Sequence, residues 1–277
     1  MMANAYLFVP AHKPTLLDKA LDGKSDAIIL DWEDAVQPSE KELARCLTQE
    51  KLLQLSKKNE PHKAIWLRIN AQDSDYFVSD CQALTQLELT QLQGIVLPKV
   101  ENGEVINQLF QHFAKPIIPM IESAKGYLNL ATIAQAKGVQ ALTFGGLDFA
   151  NDLGFEQGNG ADSYFDQLAF QLTLHSRLAG LAPPIDSVFA NFKDQEGFAK
   201  RCQHRLSQGF SGALCIHPIQ VEVVQNIYGE HLKQQLVWAK NVLDASQQQG
   251  ESAFQFNGRM IDKPVLDFAK KLLGIDK

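Results

Sequence analysis

The chain has 277 residues, of which 45% are hydrophobic and 21% are charged, and its formal net charge is −6. This composition is ordinary for a globular protein with a buried core and excludes a disordered chain. The acidic balance, without a dense run of Lys and Arg, argues against a nucleic-acid-binding protein.

Eight short apolar runs predict β-strands, and each alternates only weakly, as parallel strands buried on both faces do. They cover Tyr6–Pro10, Asp26–Asp31, Ala64–Asn70, Gly94–Val100, Pro116–Glu122, Ala141–Gly146, Ile185–Ala190 and Gly212–His217. Helical periodicity separates and follows them, over Thr15–Leu21, Ser39–Leu55, Asp75–Leu92, Gly103–Phe113, Lys125–Ala136, Asp162–Leu181, Lys193–Ser207, Ile219–Tyr228 and His231–Gln248. Ser39 and Glu42 form a capping-box pattern. The alternation predicts an α/β fold, a closed TIM (β/α)₈ barrel, with an open doubly wound sheet as the alternative.

The repeat ends near Gly250, which divides the chain into a catalytic barrel domain over residues 1–250 and a C-terminal tail over residues 251–277. The tail has a predicted helix at Pro264–Leu273. Because it lies outside the eight repeats, we expect it to pack over the barrel mouth or on a neighbouring subunit. A Gly-rich loop is predicted over Gly154–Gly160.

Cysteine usage and hydropathy indicate the compartment. The four cysteines, at positions 46, 81, 202 and 215, form no CxxC pair, so a zinc knuckle is not expected. Scattered lone cysteines fit a reducing compartment. No stretch reaches the roughly 20 apolar residues that cross a bilayer, and no secretory signal is evident. We therefore expect a cytoplasmic protein without a membrane partner.

Charged and polar residues recur at the carboxyl ends of the predicted strands. They are Asp31, Glu33 and Asp34, Arg68 and Asn70, Lys99 and Glu101, Glu122, Asp148 and His217, while Asp186 lies early in the seventh predicted strand. In a barrel these ends converge on one face, which is where such enzymes have their active sites. A strand also ends wherever polarity begins, but the repetition over most strands favours a functional site.

Glu122 and Asp148 are the metal candidates, because two carboxylates from adjacent strand ends offer the hard oxygen ligands that Mg²⁺ takes. The structural alternative is that each carboxylate lies at a helix N-terminus for dipole reasons alone. Spacing does not decide between the two.

Three further residues carry open alternatives. Arg68 is expected to hold a substrate carboxylate through paired hydrogen bonds or to form an internal ion pair with Asp31 or Glu33, and both roles are compatible. Lys99 raises the alternative of Schiff-base chemistry, which Glu101 opposes by keeping the amine protonated. His217 is a secondary candidate for a base, or a hydrogen-bonded structural residue. The sequence contains no phosphate-binding loop motif.

A series of ordered motifs resembles the citrate lyase beta-subunit-like proteins of the HpcH/HpaI aldolase superfamily. The motifs are Leu7–Pro10, Ile29–Val36 (ILDWEDAV), Leu67–Asn70, Leu97–Glu101, Ile121–Ser123, Phe144–Gly154 (FGGLDFANDLG), Ile185–Val188, Cys215–Pro218 and Gly258–Asp262. They span almost the whole chain, and the ordered set is more specific than any one motif.

The resemblance implies a TIM barrel that assembles as a homotrimer or hexamer and holds Mg²⁺ through Glu122 and Asp148. It implies that Arg68 binds the small acid and that Asp262, on the tail, reaches a neighbouring subunit's site as an acid/base group. With it we assign the catalytic candidates Asp262, Arg68 and Glu33. The substrate-binding candidates are Arg68, Asp31, Glu122, Asp148 and Gly146.

The chain departs from the family pattern at several positions. Asn4-Ala5 replace an Arg-Ser pair, Ala11-His12-Lys13 replace Gly-Asn-Arg, Leu147 replaces a Glu, and Lys125 replaces an Arg. These changes cluster where contacts with the thioester carrier are expected, so the acyl carrier stays open.

The resulting hypothesis is a Mg²⁺-dependent lyase that cleaves a 3-hydroxy-3-carboxyacyl-CoA, such as citramalyl-CoA, to acetyl-CoA and a 2-oxo acid. Two acidic groups would divide the acid and base work, and the sequence does not assign which is which. One alternative is the beta subunit of a citrate lyase complex acting on a citryl-acyl-carrier-protein thioester. The other is a catalytically silent scaffold barrel.

Overall fold

The computed structural model describes residues 3–58, 62–156, 161–249 and 253–275. It divides into two compact units, Met1–Gln225 and Asn226–Lys277. The predicted loop over Gly154–Gly160 lies partly outside the described residues.

The first unit contains a ring of eight parallel strands. They are β1 (Ala5–Pro10), β2 (Ala27–Asp31), β3 (Ala64–Arg68), β4 (Gly94–Leu97), β5 (Ile117–Ile121), β6 (Thr143–Phe144), β7 (Ile185–Asp186) and β8 (Gly212–Cys215). The pairing order is β6-β5-β4-β3-β2-β1-β8-β7, and a 3.0 Å hydrogen bond from Ile185 N–H to the Leu142 carbonyl joins the two ends of this order. The ring confirms the predicted TIM barrel and excludes the open sheet.

The barrel interior is filled by every second residue of the strands, as the pleat requires. Its buried core consists of Tyr6, Ala27, Ile29, Trp66, Val96, Ile118, Met120, Ala141, Ile185 and Leu214. A side chain at Gly94 would overlap the Trp66 ring, so the large indole has room only because β4 begins with glycine. Apolar packing thus fills the barrel up to its carboxyl end.

Helices surround the strands. In this unit they are α1 (Pro14–Asp22), α2 (Lys41–Lys58), α3 (Phe77–Leu84), α4 (Glu104–Phe113), α5 (Ala124–Leu128), α6 (Leu130–Ala134), α7 (Gly146–Leu153), α8 (Ala161–Leu178), α9 (Gln195–Ser207) and α10 (Pro218–Val224). The capping-box prediction was wrong, because Ser39 lies inside a 3₁₀ turn, Pro38–Glu40, that precedes α2. Helix α7 is the helix that the dipole alternative for Asp148 requires; its bounds were not predicted, since its sequence begins with glycine and contains Asn and Asp, which are poor helix formers.

The second unit contains α11 (Glu230–Gln249), the hairpin β9 (Phe254–Phe256) and β10 (Arg259–Ile261), and α12 (Lys263–Leu272). Asn257 and Gly258 both have positive φ, 49° and 77°, as the Asn-Gly turn of a tight hairpin requires. Ala239 and Val242 of α11 share a core with Ile261, Leu266 and Ala269. Because of this packing α11 and the tail form one compact unit, which begins after Gln225. The division into a catalytic barrel domain over residues 1–250 and a tail stays a prediction. Packing of the tail on a neighbouring subunit stays a prediction, and residues 251, 252, 276 and 277 lie outside the described part.

Among the described helices, none combines the length and the apolar character needed to cross a lipid bilayer.

Candidate active site

Polar side chains lie directly above the barrel core, because they follow interior residues at a spacing of two. At this spacing Asp31 follows Ile29, Arg68 follows Trp66, Glu122 follows Met120, and Ser187 follows Ile185. A cavity of about 370 Å³ at this end is lined by Asp31, Arg68, Glu122, Gly146 and Asp148, among others. The structure therefore brings these five predicted residues to one cavity.

Arg68 is the positive centre of the cavity and is tightly paired. Its Nε and Nη2 donate to the two Asp31 carboxylate oxygens at 2.7 and 2.6 Å, and Nη1 lies 2.7 Å from Glu33 Oε2. The guanidinium also stacks on Phe8, with 4.7 Å between Cζ and the ring centroid. Burial lowers the pKa of Arg68, but Asp31 and Glu33 outweigh it and hold that pKa above its usual value. The predicted internal ion pair is confirmed; two donors bind Asp31, and Nη1 lies near both Glu33 Oε2 and, at 3.5 Å, Asp34 Oδ2.

Lys41, which sequence reasoning missed, fixes the loop that carries Glu33. Its buried ammonium donates to the carbonyls of Trp32 and Glu33 at 2.6 and 2.8 Å and to Asn70 Oδ1 at 2.8 Å. All three N–H groups of the ammonium therefore donate hydrogen bonds, so the buried lysine has no unsatisfied donor. The only sequence signal was a lysine in the first turn of a helix, where acidic residues are the more usual choice.

The carboxyl group of Glu33 has a pKa well above its ordinary value. Burial, as the largest cause, raises the pKa of its carboxyl to about 7, while Arg68 opposes the shift and Asp34 and Asp31 add to it. A carboxyl group with a pKa near neutrality is suited to accept and return a proton. Its Oε1 also lies 3.7 Å from Lys99 Nζ, so the group faces both cations of the site.

Glu122 is 4% exposed, and its Oε2 accepts a 2.7 Å hydrogen bond from the backbone N–H of Lys99. It does not cap the following helix, because Ser123 Oγ accepts the Gly126 N–H instead. Burial, then repulsion from Glu33 and Asp148, raises the pKa of Glu122 to about 8. In the described part of the chain Glu122 forms no ion pair, so its charge has no partner of its own.

Asp148 lies in the first turn of α7, whose N-cap is Gly145. It is partly exposed and lines both the 370 Å³ cavity and a neighbouring cleft of about 590 Å³, as Glu122 does. The two carboxylates therefore face the same space and repel each other.

This pair fits a divalent cation. Two carboxylates with uncompensated charge are typical of a Mg²⁺ site in which water and substrate complete the coordination. Among the described residues, no group of three or more His, Cys, Asp or Glu has the geometry to hold a metal ion. A cation at the mouth would thus rest on Glu122 and Asp148 alone.

Lys99 and His217 are the two secondary catalytic candidates, and the structure gives them different surroundings. Burial lowers the pKa of Lys99, but Glu33, Asp148 and other carboxylates outweigh it and raise that pKa, which disfavours the neutral amine that a Schiff base needs. His217 Nδ1 accepts the Ile219 N–H as the N-cap of α10, and its ring stacks on Phe192 with centroids 4.6 Å apart. These contacts support the structural reading of His217.

Asp262 belongs to the second unit. It is the N-cap of α12, where Oδ1 accepts the Val265 N–H at 3.3 Å. Its role as an acid/base group in a neighbouring subunit's site stays a prediction.

Gly145 makes room for the Glu122 carboxyl group. A Cβ at this position would stand 2.7 Å from Glu122 Cδ and closer still to Oε1. We predict that Gly145→Ala pushes the carboxylate aside and weakens Mg²⁺ binding about 10- to 100-fold, the usual cost of a disturbed ligand environment. The measurement is calorimetric titration with Mg²⁺.

Gly146→Ala is the matched control, because the added methyl group would meet its nearest neighbour, Ser187 Oγ, at 3.4 Å. It should weaken Mg²⁺ binding far less than Gly145→Ala. Equal losses in the two variants would contradict the account of Gly145.

The fold and the residues at the carboxyl end of the barrel define the class of protein. It is a (β/α)₈ barrel with two acidic side chains, Glu122 and Asp148, beside the guanidinium group of Arg68. Comparison with known proteins agrees with this class. A family model described as HpcH/HpaI aldolase/citrate lyase matches residues 4–218. The chain belongs to this family.

Three similar proteins illustrate the relationship. A "Citrate lyase subunit beta-like protein" of Deinococcus radiodurans is 32% identical over 282 residues, with 98% of this chain and 96% of that protein covered. "Citramalyl-CoA lyase, mitochondrial" of Rattus norvegicus is 29% identical, with 98% and 85% covered. A crystal structure of protein CitE from Mycobacterium tuberculosis in complex with magnesium, acetoacetate and coenzyme A matches with a TM-score of 0.79 at 28% identity, covering 98% of this chain and 97% of that chain.

Proposed function

We propose that this protein is a cytoplasmic, Mg²⁺-dependent carbon–carbon lyase that cleaves a 3-hydroxy-3-carboxyacyl-CoA thioester, such as citramalyl-CoA, to acetyl-CoA and a 2-oxo acid. The observation that carries the proposal is the buried, unpaired Glu122 carboxylate facing Asp148 beside Arg68. Such a concentration of negative charge is costly unless a cation joins it.

Glu122 and Asp148 would hold the cation. When bound, Mg²⁺ supplies Lewis-acid polarisation of the substrate oxygens and lowers the pKa of the substrate hydroxyl group. Similarity to a protein crystallised with magnesium, acetoacetate and coenzyme A supports this assignment.

The other roles fall to Arg68 on the cavity wall and to Glu33, which lines an adjacent cleft together with Asp34 and Lys99. Arg68 keeps one N–H group on Nη2 beyond its contacts with Asp31, and Nη1 reaches Asp34 only at 3.5 Å, so these two groups are suited to the substrate carboxylate. Glu33 is the proposed base, because its pKa near 7 lets it take the proton of the hydroxyl group. As that O–H bond breaks, a carbonyl forms, the C–C bond breaks, and the electron pair passes into the thioester enolate. The enolate carbon then takes up a proton.

Asp262 is the proposed donor of that proton, reaching the site from the tail of a neighbouring subunit in a homotrimer or hexamer. As the N-cap of α12 its position on its own unit is fixed, which a proton donor requires. Isolated monomers would then bind substrate and fail in the last step.

The cavity favours a substrate with one free carboxylate. Among the described residues that line it, Arg68 is the one cation, while Asp34 and Asp148 are acidic. Apolar groups, including Leu147, Val188 and Ile216, occupy much of the remaining wall. A second carboxylate, as in a citryl group, would meet no further cation within this cavity, because Lys99 lines the neighbouring cleft instead, so a methyl-bearing substrate such as citramalyl-CoA fits better.

The test is steady-state cleavage of citramalyl-CoA, followed by the appearance of acetyl-CoA and pyruvate. We expect activity with Mg²⁺, its loss in EDTA and its return with added Mg²⁺. Full activity in EDTA would refute the metal-dependent mechanism.

Two alternatives are decided by parallel measurements. If citryl linked to acyl carrier protein is cleaved far better than any CoA ester, the chain is a citrate lyase beta subunit. If calorimetry detects neither Mg²⁺ nor 2-oxo acid binding, the chain is a scaffold barrel; the retained Glu122, Asp148 and Arg68 speak against that outcome.

A further inference from the structure

The barrel closes between β6 and β7, and we call this junction the seam. Few backbone hydrogen bonds join the two strands there. Each of these strands has only two residues. Besides the bond from Ile185 N–H to the Leu142 carbonyl, two side-chain hydroxyl groups join the strands. Thr143 Oγ1 donates to the Ile185 carbonyl at 2.8 Å, and Ser187 Oγ accepts the Gly146 N–H at 2.9 Å. The two hydroxyl groups thus continue the hydrogen bonding between these two chain segments towards the carboxyl end of the barrel.

Ser187 is itself held firmly. It is 1% exposed, and its backbone N–H donates to Asp186 Oδ1 at 2.9 Å. Asp186 is fully buried and is fixed by two hydrogen bonds from Arg201, at 2.9 and 3.0 Å. The bidentate pair between strand and helix therefore sets where the Ser187 hydroxyl lies.

Through its hydrogen bond with the Gly146 N–H, Ser187 contacts the first turn of α7. Gly146 is the first residue of this helix, and Asp148 follows two positions later in the same turn. A helix of eight residues has little stability of its own, so its first turn depends on outside contacts. Gly145, the N-cap, lies against Glu122 on the other side.

We propose that Ser187 is a positioning residue: through Gly146 it fixes the first turn of α7 and thereby holds the Asp148 carboxylate opposite Glu122. The part that concerns Mg²⁺ rests on the function proposed above. Arg201 and Asp186 act one step further back, by orienting Ser187. Outer contacts of this kind typically change metal affinity 10- to 100-fold when lost.

The test compares Ser187→Ala with Thr143→Val. Each variant removes one hydroxyl group from the same seam, but Thr143 contacts Ile185 rather than α7. The first readout is hydrogen–deuterium exchange of the α7 amides in the metal-free protein. The second is Mg²⁺ affinity by calorimetry without substrate, and thermal unfolding of both variants serves as the measure of general damage.

In Ser187→Ala we expect at least tenfold faster exchange in the first turn of α7 and a 10- to 100-fold loss of Mg²⁺ affinity. In Thr143→Val we expect similar thermal destabilisation, unchanged α7 exchange and Mg²⁺ affinity within about twofold of the wild type. Unchanged α7 exchange in Ser187→Ala, or equal effects of both variants, would overturn the proposal. A wild-type protein without Mg²⁺ affinity would refute the proposed function, and the exchange comparison would still decide the role of Ser187.

Discussion

Replacing Glu122 with glutamine is expected to abolish Mg²⁺ binding and to lower kcat/KM about 10³-fold or more, while the folded protein becomes as stable as the wild type or more stable. The loss of activity follows because a neutral amide is a poor ligand and several kcal/mol of transition-state stabilisation disappear. The gain in stability follows because Glu122 is buried, faces Glu33 and Asp148, and has no ion pair in the described part of the chain. Glutamine keeps the shape and can still accept the Lys99 N–H.

The pH dependence of stability provides the sharpest measurement. The folded protein holds the pKa of Glu122 at about 8, above the ordinary 4.5, so between these values the folded state binds more protons than the unfolded state. The stability that protonated Glu122 contributes is fully present below about pH 4.5 and is lost as the pH rises through 8. In EDTA, Glu122→Gln should therefore show a flatter decline from pH 5 to 8.5 than the wild type. At the upper end it should be more stable by on the order of 1–3 kcal/mol.

Urea unfolding at several pH values gives this comparison. Glu50→Gln is the control, because Glu50 is exposed on α2 and should change neither stability nor Mg²⁺ binding. A Glu122→Gln variant that is less stable than the wild type at pH 8 in EDTA would show that its carboxylate is satisfied within the protein. The metal assignment would then lose its main support.

The barrel could be predicted from the sequence because each strand is marked by a local pattern of apolar residues. Each buried strand is a short apolar run; seven of the eight predicted runs contain a whole strand of the ring, and the first matches β1 except for Ala5. Their predicted ends were too long at the mouth: Asn70, Val100 and Gly146 lie beyond the last strand residue. At these positions the chain still looks apolar or neutral, and single backbone hydrogen bonds, such as that from the Val100 N–H to the Met120 carbonyl, continue past the strand ends, but the regular ladder has ended.

The site was readable in part for the same reason. Asp31, Arg68 and Glu122 lie two positions after core residues, and alternation alone directs them to the interior. Lys41, Gly145 and Ser187 were missed because their importance comes from contacts distant in sequence. Ser187, for example, meets Gly146 across 41 positions. No local pattern marks such a contact, and Asp262 adds the further question of which subunit it serves.

Replacing Arg68 with methionine is expected to destabilise the protein by about 3–5 kcal/mol, the usual cost of removing one partner of a buried ion pair. Asp31 is 1% exposed, and without Arg68 its remaining donors among the described residues would be the N–H groups of Glu33 and Ala35. Activity should fall below detection, because the candidate carboxylate-binding group is gone as well. Chemical unfolding and steady-state kinetics measure the two effects.

A second substitution separates these effects. In the double variant Asp31→Asn with Arg68→Met, the unpaired charge is removed, so more than half of the lost stability should return while activity stays absent. Additive losses in this double-mutant cycle would mean that the pair contributes little to folding. Arg68→Lys completes the set, since a single ammonium cannot bridge both Asp31 oxygens, Glu33 and a substrate carboxylate at once. It should fold, with kcat/KM reduced about 10²-fold, because the planar group and not the charge alone lets one residue hold the site together and bind the acid.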